Sequence, residues 1–246
     1  MILEITVNSV TSALLAQEGG ADRIELCDNF HEGGTTPGAG SISKARECIH
    51  IGLFVMIRPR GGDFHYSDLE LEIMKKDIQL ARDLGADGVV FGLLNADGTI
   101  DRIHTAELVT VSHPMQVTFH RAFDLTPDPF TALEEIIETG ADRVLTSGQA
   151  PSAMEGARVI ASLLKQAGDR IMIMPGAGIN ESNILELYRL TQAQEFHASL
   201  RTKRYSGMSF QREGVFMGDQ GFQAYPYEVA SPERIRVLKR ILENVC

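Results

Sequence analysis

Short β-rich runs alternate with amphipathic helical runs from one end of the chain to the other. The strand candidates are ILEITV from Ile2, DRIELC from Asp22, LFVMIRP from Leu53, DGVVFG from Asp87, MQVTFHR from Met115, DRVLTS from Asp142, RIMIMPG from Arg170 and EFHASL from Glu195. Helical spacing lies between them. Leu71, Met74, Ile78 and Ala81 step by 3, 4 and 3, one face of a 3.6-residue helix. Met154, Ala157, Ala161 and Leu164 repeat that spacing, and Ile235, Leu238, Leu242 and Val245 predict a last helix. Ser67 with Glu70 predicts a capping box at the start of the third helix.

Gly-Ala-Asp recurs at Gly20–Asp22, Gly85–Asp87 and Gly140–Asp142, each time just before a strand. Glycine suits the left-handed residue that ends a helix. The repeats lie 65 and 55 residues apart, about two βα units each. Eight strand–helix alternations over 246 residues predict one α/β domain, a closed (βα)8 TIM barrel with a C-terminal helix. A doubly wound open sheet is the competitor, but the first strand lacks a G-x-G-x-x-G turn. The segment Arg201–Ala230 has little periodicity and is rich in Gly, Tyr and Phe. Loops of that length are usually functional or disordered, so a lid or oligomer contact is expected there, carried by Tyr205, Phe210, Phe216 and Phe222.

Strand parity then separates the barrel wall from its interior. Outward residues pack under helices and inward ones near the C-terminal strand ends meet ligands. Facing Leu3, Ile5, Ile24, Leu26, Val55, Ile57, Val117, Phe119, Phe196 and Ala198 outward turns Glu4, Thr6, Glu25, Cys27, Met56, Arg58, Thr118, His120, Glu195, His197 and Ser199 inward. Barrel cores are normally filled by branched apolar side chains. Burying this many ionisable groups is costly unless they pair, and such clusters often mark a site. Two readings stay open: a plug in which Arg58 pairs with a glutamate, and a pocket at the C-terminal mouth where Glu25, Arg58, His120 and His197 converge. In both, Glu25 is expected to pair with Arg58 across neighbouring strands and so stay ionised.

The turns add to this set. Arg58-Pro-Arg60-Gly-Gly-Asp63 puts two guanidinium groups beside a glycine pair, and arginine forks suit carboxylate or phosphate. Gly176 and Gly178 follow the seventh strand, where barrels often bind phosphate on backbone N–H groups; a tight βα turn would use the same glycines.

Composition narrows the partners. Hydrophobic residues make up 43% of the chain and charged residues 23%, ordinary globular usage. With 23 basic and 33 acidic residues the formal charge is −10, which argues against nucleic acid. No apolar run reaches the ~18 residues of a membrane span, and MILEITVNSV lacks the layout of a signal peptide. The three cysteines, Cys27, Cys48 and Cys246, form no CxxC. A cytoplasmic location is expected.

With these residues in hand, the sequence resembles the CutC family, named for copper homeostasis. The resemblance is carried by GGADRIELC at 19–27, EGGTTP at 32–37, MIRPRGGDF at 56–64, TFHRAFD at 118–124, LTSG at 145–148 and EFHAS at 195–199. It implies a (βα)8 barrel, a cytoplasmic location, a homo-oligomer (dimer or tetramer) and a role in copper handling. It also implies Cu(I) as a metal partner, with thiols at the ends of strands one and two. Cys27 keeps the second thiol, while the first position is Thr6, and a hydroxyl is a poor ligand for Cu(I). Met172 and Met174 sit at strand spacing and are read as barrel filling.

Two function classes follow. One is a copper-homeostasis protein that binds Cu(I) weakly through Cys27. The other is a TIM-barrel enzyme, a lyase, isomerase or hydrolase, acting on a small anionic substrate such as a sugar or sugar phosphate. In it Glu25, His120 and His197 are the acid/base candidates, and Arg58, Arg60, Gly176, Gly178 and Ser199 bind substrate. A divalent-metal site at Glu4, Glu25 and His197 ranks last, since no spacing signature supports it.

Overall fold

The Gly-Ala-Asp repeat is a strand-starting device. The computed structural model describes residues 1–212, 214–215 and 225–245. In it Gly20, Gly85 and Gly140 take φ of +91°, +84° and +83°, a region that costs glycine nothing. The chain then reverses, and the aspartate turns back to the preceding strand. Asp22, Asp87 and Asp142 accept the backbone N–H groups of Leu3, Leu53 and Val117 at 2.7, 2.8 and 2.7 Å. Each aspartate therefore sets the register between an odd-numbered strand and the next even-numbered one.

The eight strands thus aligned are β1 (Ile2–Val7), β2 (Arg23–Leu26), β3 (Gly52–Met56), β4 (Gly88–Phe91), β5 (Gln116–Phe119), β6 (Arg143–Thr146), β7 (Met172–Pro175) and β8 (Glu195–Ala198). They run parallel in the order β7-β6-β5-β4-β3-β2-β1-β8, and β7 packs beside β8 to close the barrel. The helices α1 (Val10–Glu18), α2 (Ala39–Cys48), α3 (Asp68–Asp83), α4 (Arg102–Ser112), α5 (Pro129–Thr139), α6 (Ala157–Ala167) and α7 (Ile184–Thr191) follow β1 to β7 in turn, and α8 (Pro232–Glu243) closes the chain.

The helix spacing decides what each helix buries. α3 carries the capping box of Ser67 and Glu70 and buries Leu71, Met74, Ile78 and Ala81. α8 buries Ile235, Leu238 and Leu242; it ends before Val245. In α6 the buried stripe is Ala157, Ile160, Leu163 and Ala167, not the expected Met154, Ala157, Ala161 and Leu164. Met154 precedes the helix, and the rotated stripe buries the bulkier Ile160.

The floor of the barrel is ionic where most barrels are aliphatic. Glu195 accepts from Arg143 Nε at 2.6 Å and is also paired with Arg23. Arg23 Nε reaches Glu4 Oε2 at 2.5 Å. Both guanidinium groups lie over the Phe54 ring, 5.0 and 5.4 Å from its centroid. Phe54 fits because Gly88 faces it: a Cβ there would come within 2.3 Å of the ring. Met174 fills the remaining space and accepts from Arg23 at 3.2 Å.

After β8, β9 (Arg201–Tyr205) and β10 (Pro226–Ala230) pair antiparallel as a separate ribbon. Aperiodic chain was expected throughout this segment. The ribbon forms because its two ends return to one place: Ser231 N–H bonds the Leu200 carbonyl at 2.9 Å. Phe216, Phe222 and Cys246 lie outside the described residues.

Glu195→Gln leaves Arg143 buried without a carboxylate and should cost about 3–5 kcal/mol. Urea unfolding at pH 7 reads this as a lower midpoint with an unchanged slope.

Candidate functional site

β1, β2 and β8 lie side by side, and their inward positions form a chain of charges rising from the floor. The register sets Glu4 beside His197 and Thr6 beside Glu25. Glu4 is wholly buried and spends each oxygen on a different partner. Oε2 accepts from Arg23, and Oε1 accepts from His197 Nδ1 at 2.7 Å. Burial alone would raise the Glu4 pKa, but Arg23 and His197 outweigh it and hold it at about 2. A permanently ionised Glu4 fixes the His197 proton on Nδ1 and turns Nε2 toward Glu25 Oε2, 3.8 Å away.

Glu25 is set apart from that chain. Burial raises its pKa, Glu4 adds to the effect, and His197, Thr6 and Arg23 offset only part of it. For His197, burial lowers the pKa but Glu25 and Glu4 more than restore it, so the imidazole is raised. Both members are pushed toward their protonated forms, Glu25 by burial and His197 by the two carboxylates beside it, the kind of tuning acid/base chemistry uses.

Arg58 stands just past the end of β3, the strand next to β2. The expected Arg58–Glu25 ion pair does not form. Arg58 Nη1 donates to the carbonyls of Glu32 and Gly34, the latter at 2.8 Å, and Nη2 donates to the Gly62 carbonyl at 2.6 Å. Two loops build this cage. Thr36 and Arg58 exchange hydrogen bonds that lock the 29–36 loop onto the end of β3, and Gly33 and Gly34, with φ of +81° and +96°, curl it over the guanidinium. Glu25 is consequently raised rather than lowered.

His120 completes the group from the end of β5. Its Nδ1 accepts the Ala122 N–H at 3.2 Å, and the ring sits edge-on to Phe64 with centroids 4.8 Å apart. Burial, with Arg58 adding to it, lowers its pKa to about 3. His120 is therefore a neutral imidazole at pH 7.

These side chains line one cavity of about 490 Å³ at the C-terminal mouth, together with Cys27, Gly178 and Ser199. Arg60 is not among its lining residues. It is tied to Glu70 at 2.5 Å and Asp63 at 3.0 Å and covers the Tyr66 ring. Gly176 lies behind the wall, where a Cβ would strike Leu145 at 2.5 Å. At the β7 end, the Ala177 carbonyl accepts from Ala153 N–H, and the Gly178 carbonyl accepts from Asn180 and Asn183. The N–H groups of Gly178 and Ile179 therefore point away from those partners, because a trans peptide sets N–H opposite C=O.

Cys27 sits in a small apolar cluster with Phe54, Met56 and Val90. Its thiol is 3.5 Å from Thr6 Oγ1, and burial, with Glu25 adding to it, pushes its pKa up. The Glu4, Glu25 and His197 ligand atoms lie within 4.8 Å of one another. Both Glu4 oxygens are already engaged by cations or N–H donors, however, so this trio fits a proton relay better than a divalent ion.

Asp124 is a cavity residue that sequence reasoning missed. Its carboxylate takes hydrogen bonds from Thr146 Oγ1 at 2.5 Å and Ser147 Oγ at 2.9 Å and an ion pair from Arg121 at 2.8 Å. It joins TFHRAFD to LTSG and so fixes the β5 and β6 ends against each other. The positioning cations Arg23 and Arg143 were also missed, although parity could have found Arg23 two residues before Glu25.

The CutC family model matches residues 1–202. The chain belongs to the CutC family. A CutC protein of Chromobacterium violaceum is 50% identical over 243 residues, covering 99% of this chain and 98% of its own. The human copper homeostasis protein cutC homolog is 47% identical over 245 residues, covering 99% and 90%. Among solved structures, a copper homeostasis protein CutC from Streptococcus agalactiae superposes with a TM-score of 0.76 at 34% identity, over 80% of this chain and 97% of that one. N-(5′-phosphoribosyl)anthranilate isomerase from Pyrococcus furiosus matches at 0.60 and 14% identity over 99% of both chains, a likeness of fold. EGGTTP, MIRPRGGDF, TFHRAFD and LTSG contribute residues to the cavity at the barrel mouth, while GGADRIELC and EFHAS run from the floor up to it. No helix among the described residues is long and apolar enough to cross a membrane.

A buried neutral histidine makes stability depend on pH. The unfolded chain takes up a proton below about pH 6.5 that folded His120 refuses until about 3. Its contribution is therefore full above pH 6.5 and falls as pH drops toward 3. His120→Gln should flatten the acid side of the stability profile, measured by urea unfolding between those two pH values.

Proposed function

We propose that this CutC-family protein binds a small anionic organic molecule, such as a sugar phosphate, in the barrel mouth and moves a proton on it. The observation that carries this reading is Arg58. It is a guanidinium 4% exposed that donates to three backbone carbonyls, lies beside the Tyr66 hydroxyl and forms no ion pair with a carboxylate among the described residues. Carbonyls orient the cation without neutralising it, and a buried charge of this kind calls for an anion. The Glu25–His197 pair in the same cavity supplies the exchangeable proton, with Glu4 as a positioning residue. Gly178, Ile179 and Ser199 offer neutral donors at the β7 and β8 ends, where a phosphate fits. Lyase, isomerase and hydrolase chemistry all use such a set. The cytoplasm suits the free thiols Cys27 and Cys48.

A Cu(I) reading rests on the names of the relatives and on Cys27 lying beside Met56. A thiol and a thioether are soft donors, but the thiol must lose a proton that its surroundings hold, and Thr6 supplies no second thiolate. The donor set fits a weak site. Self-association is assigned to the β9–β10 ribbon and the chain just after β9, where Tyr205 and Tyr227 of the ribbon and Met208 and Phe210 beyond it are exposed.

Sugar phosphates at ~100 times their Kd should raise the melting temperature by about 5–10 °C, and Arg58→Met should abolish the shift; equal protection of both proteins would reduce the cluster to a plug. Competition with a Cu(I) chelator should show weak binding by the parent, none by Cys27→Ala and tighter binding by Thr6→Cys; undiminished binding by Cys27→Ala would place copper elsewhere.

A further inference from the structure

Buried polar side-chain atoms are almost always hydrogen-bonded. Among the described residues, five lack a partner: Glu25 Oε1, Arg58 Nε, Tyr66 Oη, Thr105 Oγ1 and His120 Nε2. Three of them, on Glu25, Arg58 and His120, belong to side chains that line the same cavity at the barrel mouth. Each of those residues is 4% exposed. The three do not offer the same chemistry. Arg58 Nε can only donate, Glu25 Oε1 accepts when ionised, and the role of His120 Nε2 is settled by its other nitrogen.

His120 Nδ1 receives the Ala122 backbone N–H, so Nδ1 holds the lone pair and the neutral ring carries its proton on Nε2. The ring cannot turn to exchange these roles. Phe64 and Phe119 pack against it edge-on, and Gly92 backs it so closely that a Cβ there would lie 2.5 Å from Nδ1. His120 thus presents a fixed, uncharged N–H donor. Arg58 is the charged group that acts on it, and together with burial keeps it from taking a second proton.

Two N–H donors and one carboxylate acceptor, all buried and all short of a partner, describe a ligand. A ligand with an oxygen to accept from such donors and a proton to offer a carboxylate would suit the cavity these three side chains line. We propose that the substrate is a small carbonyl compound that passes through an enediolate, its oxyanion held by His120 Nε2–H and Arg58 Nε–H. Glu25 takes the proton from the carbon next to the carbonyl. The C–H electron pair becomes the new C=C bond, and the carbonyl π pair moves onto oxygen as the charge that the two donors stabilise. In an α-hydroxy carbonyl substrate, Glu25 then returns the proton to the former carbonyl carbon while the hydroxyl proton passes to the enediolate oxygen and its O–H electron pair becomes the new C=O, an isomerisation with no oxidant or reductant. A neutral imidazole suits this task, since it polarises the oxygen without surrendering a full proton to it. The inference rests on the anion-binding reading above and narrows it from three reaction classes to those that begin by removing an α-proton.

The test uses the whole protein and two probes. Phosphoglycolohydroxamate has the shape and charge of a phosphorylated enediolate, and phosphoglycolate has the same phosphate without it. ¹⁵N NMR of the imidazoles should show His120 protonated on Nε2 alone and unchanged from about pH 5 to 9, across the range where an ordinary histidine titrates. The hydroxamate should bind more tightly than phosphoglycolate and move the His120 Nε2–H signal. His120→Ala should weaken the hydroxamate by at least about tenfold while leaving phosphoglycolate nearly unchanged, and His120→Gln, a neutral donor of similar reach, should recover part of the loss. A proton on Nδ1, titration near the ordinary histidine range, or equal loss of both probes in His120→Ala would overturn the enediolate proposal. Arg58-dependent binding of phosphoglycolate with no preference for the hydroxamate would overturn it too, yet leave the anion pocket standing. Failure of both probes and of sugar phosphates would remove the anion pocket as well.

Discussion

Glu4 holds the two ends of the barrel interior together. One of its oxygens faces the floor, where Arg23 bridges to Glu195 and on to Arg143, and the other faces the mouth, where it orients His197. A carboxylate with no exposure is tolerable only because both oxygens meet a cation or an N–H donor. The price of losing any member is an uncompensated buried charge, so the chain from Arg143 to Glu25 behaves as one unit. It converts a structural need, filling the lower barrel, into a functional one, a histidine with a fixed tautomer at the upper end.

The opposite wall works by a different rule. Arg58 and His120 are held by backbone groups: three carbonyls for the guanidinium and one amide N–H for the imidazole. Backbone partners fix direction without cancelling charge or consuming the outward-facing donor. The β1–β2–β8 side of the cavity therefore carries a chain of paired charges, and the β3–β5 side carries a guanidinium and an imidazole aimed by the backbone. Cys27, in an apolar corner beside Met56, belongs to neither wall, and the same surroundings that keep its thiol protonated weaken it as a metal ligand.

Much of this was legible in the residue pattern. The pleat alternates side chains by geometry alone, so Ile24 and Leu26 facing the helices compelled Glu25 and Cys27 inward, and Phe196 compelled Glu195 and His197 inward. The Gly-Ala-Asp spacing likewise announced two-strand units, because a left-handed glycine and a strand-capping aspartate are local devices. The buried stripe of α6 was not legible, since Ala161 and Ile160 both satisfy a helical period and only the shape of the barrel wall chooses between them.

Pairing was decided by the tertiary structure alone. Glu25 and Arg58 lie at neighbouring strands, yet the loop from Asn29 to Thr36 folds over and supplies carbonyls to Arg58 first, leaving Glu25 to His197 on β8, two strands away across β1. Arg60, next but one to Arg58, is drawn out to Glu70 and Asp63 by the turn that separates them. The tautomer of His120 rests on a turn that brings the Ala122 N–H back onto its ring. Parity is a property of the chain's own backbone and can be read along it; partners are chosen by loops whose paths depend on everything they pack against.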